Sequence, residues 1–268
     1  MQYDPIKRSL GNVFNKTPML RKLFYNLLDL LLLRSWHIRR EIRKWSISRP
    51  EAQILDAGSG FGQYTYYLSG RSKRYVITAV DVKDEQVADC NRFFKQIKRN
   101  NNAKFEVADL TTYVKPEMYN LILSVDVMEH IEEDVLVFQN FAKSLVKGGM
   151  LLISTPSDQG GSDVHGDDDT SFIEEHVRDG YNVDEIKKKI LSAGFSDVFV
   201  RYSYGWAGKI SWRLSMKYPI LMLGKSKAFF IILPFYYLIF FPWCIVLNYI
   251  DVWLPNKTGT GLVVKAWK

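Results

Sequence analysis

Ile54-Leu55-Asp56-Ala57-Gly58-Ser59-Gly60-Phe61-Gly62 is the stretch on which the reading turns. It joins a short apolar strand, expected over Ala52 to Asp56, to a helix expected from Gly60 to Leu68. Glycines alternate at 58, 60 and 62, and an acid stands two residues before the first of them. A glycine loop between a buried strand and a helix lets backbone approach a ligand closely. The order differs from G-x-G-x-x-G, whose helix N-terminus holds a pyrophosphate.

Strands and helices alternate outward from this loop. Strands are expected at Tyr75 to Val80, Lys104 to Val107, Leu121 to Val125, Met150 to Thr155, Asp197 to Tyr204 and 261 to 267. Helices are expected at Asp84 to Lys98, Asp134 to Leu145 and Val183 to Ala193. Such alternation implies right-handed crossovers and a mainly parallel sheet covered on both faces, an α/β doubly wound fold. Acids recur at the strand ends. Asp81 ends the second strand, 19 residues after Gly62, where a carboxylate can accept both hydroxyls of a ribose. Asp109 ends the third, where it can accept from an adenine amino group with Leu110 against the ring. The run Leu121-Ile122-Leu123-Ser124-Val125-Asp126-Val127-Met128-Glu129-His130-Ile131 follows, then a helix and Lys147-Gly148-Gly149.

Taken together, these segments resemble the class I S-adenosylmethionine-dependent methyltransferases, and most closely the small-molecule branch that includes quinone and lipid methyltransferases. The resemblance covers about residues 50 to 204 and the last strand. It implies a Rossmann-like, seven-stranded sheet with the last strand antiparallel, and S-adenosylmethionine as cofactor. Gly58 and Gly60 would approach the methionine part of the cofactor, with Asp56 beneath the loop and Ser59 and Gly62 completing it. Asp81 with Val82 would hold the ribose, and Asp109 with Leu110 the adenine. Asp126 and Val127 would line the floor where methyl group and acceptor meet. Asn120 departs from the Asp that the family often has there, at a position expected to be structural.

The chain has 268 residues, which allows one large domain or one domain with an elaboration. Its net charge is +7, but Asp158 to Glu185 holds ten acidic residues and only Arg178 as a base, leaving +16 elsewhere. A basic body suits nucleic acid, an anionic membrane or a solvated surface. Nucleic acid is disfavoured by the lack of zinc-ligand spacing, a helix-turn-helix pattern or an Asn/Asp-Pro-Pro-aromatic motif; the corresponding stretch is Asp126-Val127-Met128-Glu129. Cys90 and Cys244 cannot build a disulfide framework, which fits a reducing compartment. No secretory signal is visible at the polar N-terminus.

A hydroxyl acceptor needs a base to remove its proton. His176, in Glu174-Glu175-His176-Val177-Arg178, is the first candidate for base or positioning group, and His130 the second. The plainer reading makes both ordinary structural hydrogen-bonding residues. His37 is expected at the surface. Asp167-Asp168-Asp169 beside His165 is read as a solvated loop, so no metal is expected. Arg178 pairs with a local carboxylate or grips an anionic acceptor.

Two regions flank the core. Residues 17 to 46 read as one helix, leucine-rich first and then basic, within an N-terminal cap of residues 1–49. The core is 50–204 plus 259–268. Residues 205–258 form an insertion that carries Lys209, Arg213 and Lys217 on one helical face, followed by 23 uncharged residues from Ala228 to Ile250. Thirteen aromatics stand between Gly205 and Trp253, about twice the chain average. A single membrane span would leave the two strands that flank the insertion on opposite sides of the bilayer, and two spans need roughly 40 apolar residues. Pro234 and Pro242 are expected to interrupt the helix. The expectation is a monotopic or re-entrant hairpin against an anionic membrane, on a cytoplasmic protein held at the inner face. A hydrophobic subdomain that roofs the site or makes a dimer contact is the alternative. The whole reads as a methyltransferase acting on a lipid, isoprenoid quinone or lipid-linked sugar. Other readings are a non-catalytic membrane scaffold or sensor that binds the cofactor, and, less favoured, a nucleic-acid methyltransferase.

Overall fold

Among the described residues, seven strands are hydrogen-bonded in the order β3-β2-β1-β4-β5-β7-β6. They are β1 (Ala52–Ala57), β2 (Tyr75–Asp81), β3 (Ala103–Val107), β4 (Tyr119–Val125), β5 (Leu145–Pro156), β6 (Asp197–Ser203) and β7 (Gly261–Trp267). The computed structural model describes residues 17–160, 177–226 and 228–268. β1 runs parallel to both β2 and β4, with Ile54 beside Ile77 on one side and Leu121 on the other. β7 alone is antiparallel, pairing Ser154 of β5 and Arg201 of β6 through Val263. The expected sheet is therefore present. Chain order reverses between β1 and β4, and the crevice at the strands' carboxyl ends there is where such sheets take ligands.

The central strands are apolar on both faces because helices cover both. Alternate residues divide between two cores. Ile54, Leu121 and Leu152 pack with Ile38, Ile42, Leu68 and Phe94 on one face. Leu55, Ile122 and Ile153 pack with Phe138, Phe141, Ile186 and Ile190 on the other. Asn120 is structural: its Oδ1 accepts from Gln53 N at 2.8 Å and ties the start of β1 to β4.

The N-terminal cap differs from the expected single helix. α1 (Pro18–Leu31) and α2 (Leu33–Ser46) are separated at Leu32, whose backbone is extended (φ −90°, ψ 110°). Thr17 caps α1 through its hydroxyl, and Pro18 opens it at a position where no N–H is needed. The burial of α1 also departs from its hydrophobic pattern. Arg21 and Tyr25 are 4 % and 0 % exposed, while Met19, Leu23, Leu27 and Leu30 face outward as a stripe. The polar pair is drawn inward by the Phe61 carbonyl, which takes hydrogen bonds from Arg21 Nη2 (3.0 Å) and from the Tyr25 hydroxyl. An unpaired buried carbonyl costs about 1–3 kcal/mol, enough to orient a short helix.

The insertion is a two-armed helical hairpin. The first arm comprises α7 (Trp206–Trp212), a π turn (Arg213–Lys217) and α8 (Tyr218–Lys225); the second is α9 (Phe229–Trp253). The earlier helices are α3 (Gln63–Arg71), α4 (Asp84–Gln96), α5 (Asp134–Ser144) and α6 (Val183–Ser192). Pro219 has no N–H for the carbonyl of Ser215, and the π turn lies just before it. Tyr237 supplies the missing donor to Ser215 O at 2.9 Å, and Tyr236 donates to Leu214 O at 2.8 Å. The expected interruption of the second arm does not occur: α9 runs through Pro234 and Pro242 as 25 continuous residues. The tyrosine bonds pin the segment between those prolines to the first arm. Most of the outward surface of α9 is apolar and exposed, including Ile231, Phe235, Leu238 and Trp243.

His37 corrects a second expectation. It is 1 % exposed, because its Nε2 meets Asp251 Oδ1 of α9 at 2.8 Å. Cys90 and Cys244 are free and buried.

Candidate functional site

The glycine loop leaves β1 at the switch point and reaches α3 only at Gln63. Gly58, Gly60 and Gly62 have φ of +79°, +48° and +76°, so the helix cannot begin at Gly60 as expected. Gly58 N and Ser59 N both donate to Val80 O at 2.9 Å, fastening the loop over β2. A Cβ at Gly58 would stand 2.3 Å from Val127 Cγ2, so the loop and the floor after β4 touch only because residue 58 is glycine. A Cβ at Gly60 would meet nothing nearer than Gln86 Oε1 at 4.0 Å, which leaves the outer face of the loop open.

Asp81 ends β2 with its carboxylate at the rim. Its Oδ2 accepts from Gly60 N at 2.8 Å and its Oδ1 from Lys83 N at 3.0 Å. Each oxygen keeps a further lone pair toward solvent. Val82, beside it, is exposed. Asp109 is exposed at the end of β3, with one oxygen held by Thr111 N (2.8 Å) and Thr111 Oγ1 (2.7 Å). Leu110 is buried in the core below, and its carbonyl accepts from Asn140 Nδ2 at 3.0 Å. Asp56 is buried under the loop and accepts from Thr65 Oγ1 at 2.5 Å. Burial pushes its carboxyl up to about 6.

These residues suit an adenosyl sulfonium by chemistry as well as by position. Ser59 Oγ is buried in the loop without a hydrogen-bond partner among the described residues. The open backbone at Gly60 and the half-satisfied Asp81 complete a polar cradle at the rim.

The floor lies one strand over. Asp126 follows β4 in the left-handed region (φ +52°), which aspartate tolerates better than most residues. Arg34 of α2 reaches across and pairs with Asp126 Oδ2 through its Nη1. Burial alone would lower the Arg34 guanidinium, but Asp126 outweighs it and holds the charge above the ordinary arginine range. Arg34 N donates to the Tyr204 hydroxyl at 3.1 Å, and Ser35 Oγ lies 3.3 Å from the Tyr64 hydroxyl. Burial raises both phenols, Tyr204 to about 12. Glu129 is buried and hydrogen-bonded to Thr155 Oγ1 at 3.1 Å. Burial, and then the neighbouring Asp126, push it up to about 8, so it is largely protonated at neutral pH.

The structure thus brings Asp56, Gly58, Ser59, Gly60, Gly62, Asp81, Val82, Asp126 and Val127 to one rim, with Asp109 and Leu110 at its β3 end. His130 ends the 3₁₀ turn Met128–His130 and is exposed, whereas its neighbour Glu129 points inward. His176, His165 and Asp167 to Asp169 lie outside the described residues. Arg178 pairs with Asp134 through Nη1 and donates to Ile131 O at 2.8 Å, so it fastens the start of α5. Sequence reasoning did not place Arg34, Tyr64 or Tyr204 at the site, and treated Glu129 only as part of a motif. Its one available signal was the three-residue spacing from Asp126 to Glu129.

Comparison with known proteins agrees with this fold. Residues 54–149 match the family model described as "Methyltransferase domain". A phosphoethanolamine N-methyltransferase of Triticum aestivum is 29% identical over 151 residues, covering 56% of this chain and 29% of the relative. An (S)-coclaurine N-methyltransferase of Thalictrum flavum subsp. glaucum is 29% identical over 102 residues, covering 37% and 27%. The chain thus spans less than a third of the length of these relatives. A Haemonchus contortus phosphoethanolamine N-methyltransferase 2, solved with phosphomonomethylethanolamine and S-adenosylhomocysteine, superposes with a TM-score of 0.60 at 17% identity, covering 85% of this chain and 51% of that one. The chain therefore carries a domain of the class I methyltransferase fold.

Proposed function

We propose that this chain is an S-adenosylmethionine-dependent methyltransferase whose acceptor is a membrane-associated amphiphile. The observation that carries the cofactor assignment is the rim itself: Asp81 accepts from Gly60 N at 2.8 Å while keeping lone pairs free. The glycine loop would lie against the methionine part, Asp81 and Val82 against the ribose, and Asp109 and Leu110 at the adenine. When bound, S-adenosylmethionine supplies a sulfonium methyl group open to in-line displacement. The residues of the chain orient the acceptor, and orientation alone can supply up to roughly 7–11 kcal/mol of the barrier. Asp126 and Val127 form the floor, and Arg34 and Tyr204 form a wall with N–H and O–H donors. His130 and His176 remain the proposed base or positioning groups.

Three features support a membrane. α9 is the one helix among the described residues long and apolar enough to cross a bilayer, and it is mostly exposed rather than packed as a core helix. Both ends of the hairpin return to neighbouring strands β6 and β7, so hairpin and core stay on one side. Lys209, Arg213 and Lys217 sit on the first arm, a basic stretch that an anionic headgroup layer would attract. The leucine stripe of α1 is a second exposed apolar surface. The names of the phosphoethanolamine and coclaurine relatives specify nitrogen acceptors, which favours an amine-bearing headgroup over a quinone or sugar hydroxyl.

Calorimetry with S-adenosylmethionine tests the cofactor assignment. Wild type should bind one equivalent, and Asp81→Ala should bind about a hundredfold more weakly, since charged hydrogen bonds contribute about 1.5–3 kcal/mol. Equal affinity in the two proteins would reject the site.

A further inference from the structure

Asp251 is an acid at the foot of an otherwise uncharged apolar helix, and it is 0 % exposed. Four donors converge on it. Its Oδ1 accepts from Tyr204 N (3.1 Å) and His37 Nε2 (2.8 Å), and its Oδ2 from Gly205 N (2.8 Å) and Gly208 N (3.1 Å). Arg201 Nη2 lies 3.2 Å from His37 Nδ1; an arginine can only donate, so the ring donates to Asp251 from Nε2. The carboxylate therefore joins the second hairpin arm, the start of the first arm and α2 in one buried joint. There is no slack in the packing: a Cβ at Gly208 would stand 2.7 Å from Asp251 Oδ2 and 2.6 Å from Leu33 Cδ2.

Two of the tied groups lead straight to the acceptor floor. Tyr204 is held in the left-handed region (φ +54°), a conformation that a bulky residue adopts only when its surroundings enforce it. Its N–H is fixed by Asp251, and its hydroxyl accepts from Arg34 N at 3.1 Å. His37 lies one helical turn from Arg34 on α2. Arg34 then pairs with Asp126.

We infer that Asp251 is a positioning residue for the acceptor floor, acting through Tyr204 and α2 on Arg34 and Asp126, so that the footing of the hairpin sets the acceptor geometry. The inference rests on the proposed function only in calling that floor an acceptor site. The coupling itself is a property of the fold and is measurable without turnover.

The test is amide hydrogen exchange on the full chain bound to phosphatidylglycerol–phosphatidylcholine vesicles, in wild type, Asp251→Asn and Tyr204→Phe. Asparagine keeps the shape, but its amide group turns N–H donors toward backbone donors. Exchange in Asp251→Asn should quicken about tenfold at residues 203–208 and 248–256, at Arg34, and across the turn 126–131. The glycine loop 58–62 should be unchanged, as should affinity for S-adenosylhomocysteine. Tyr204→Phe removes only the hydroxyl; it should quicken Arg34 and 126–131 and leave 205–208 and 248–256 as in wild type. Where an acceptor is turned over, both variants should raise its KM more than they lower kcat. Exchange in Asp251→Asn confined to the hairpin foot, or an unaltered Arg34 amide in Tyr204→Phe, would overturn the inference. A wild type that binds no cofactor would count against the methyltransferase reading alone.

Discussion

The glycine loop and the hairpin foot both turn the chain from a strand end into a helix, and each does so around an aspartate. Asp81 at the loop takes two backbone donors and stays half-exposed, with capacity left for a ligand. Asp251 at the foot takes four donors and is sealed from solvent. The contrast separates two uses of one side chain. An acid with spare lone pairs at a rim has hydrogen-bonding capacity left for a ligand, and an acid fully satisfied in the interior is a joint whose loss leaves its donors stranded.

Four changes sharpen or break that contrast. The largest effect is expected at the joint. Asp251→Ala leaves three backbone N–H groups and the Nε2 of His37 buried without a partner, and should lower stability by about 3–5 kcal/mol in denaturant titration. A loss below 1 kcal/mol would place Asp251 outside the joint. At the rim, Gly58→Val meets both the Val127 side chain and a positive φ, so cofactor affinity should fall more than a hundredfold, about 2.7 kcal/mol. The fold should survive, because the loop lies at the edge of the core.

The third change concerns Glu129. Its folded pKa is raised to about 8 from an ordinary 4.5. The stability it contributes is therefore full at acid pH and is lost as pH rises through 8. Glu129→Gln should gain thermal stability relative to wild type between about pH 4.5 and pH 8 and level off above that, and a pH-independent difference between the two proteins would contradict the burial of Glu129. The smallest effect on stability is expected on α1. Leu27→Asp lies on the exposed stripe and should change stability by less than about 0.5 kcal/mol. It should nonetheless weaken cosedimentation with anionic vesicles several-fold, and unchanged cosedimentation would remove α1 from the membrane surface.

The rim was legible in the sequence because its parts are local. Nine consecutive residues hold the loop, and each acid sits at the end of its own apolar strand, so the alternation pattern places Asp81, Asp109 and Asp126 together. The mainly parallel sheet followed from the same alternation and from handedness, and its antiparallel last strand from the family resemblance. The foot was not legible in that way, since His37 and Asp251 are 214 positions apart and neither belongs to a motif. His37 stands in a basic run that reads as surface, and only packing of α9 against α2 shows otherwise. The break at Leu32 escaped notice because the leucine pattern continues through it; two polar side chains reaching for the Phe61 carbonyl decide the orientation of α1. Pro234 and Pro242 misled for a related reason. Hydroxyl donors on Tyr236 and Tyr237 hold the arms together, which local propensity does not register.

The decisive measurement is transfer of label from methyl-labelled S-adenosylmethionine into total lipid vesicles, compared between the full chain and a chain in which a short turn replaces residues 205–258. Label is expected in the organic phase with the full chain and little of it with the shortened one, while both bind the cofactor. Equal transfer by the two chains, or label confined to water-soluble acceptors, would contradict that expectation.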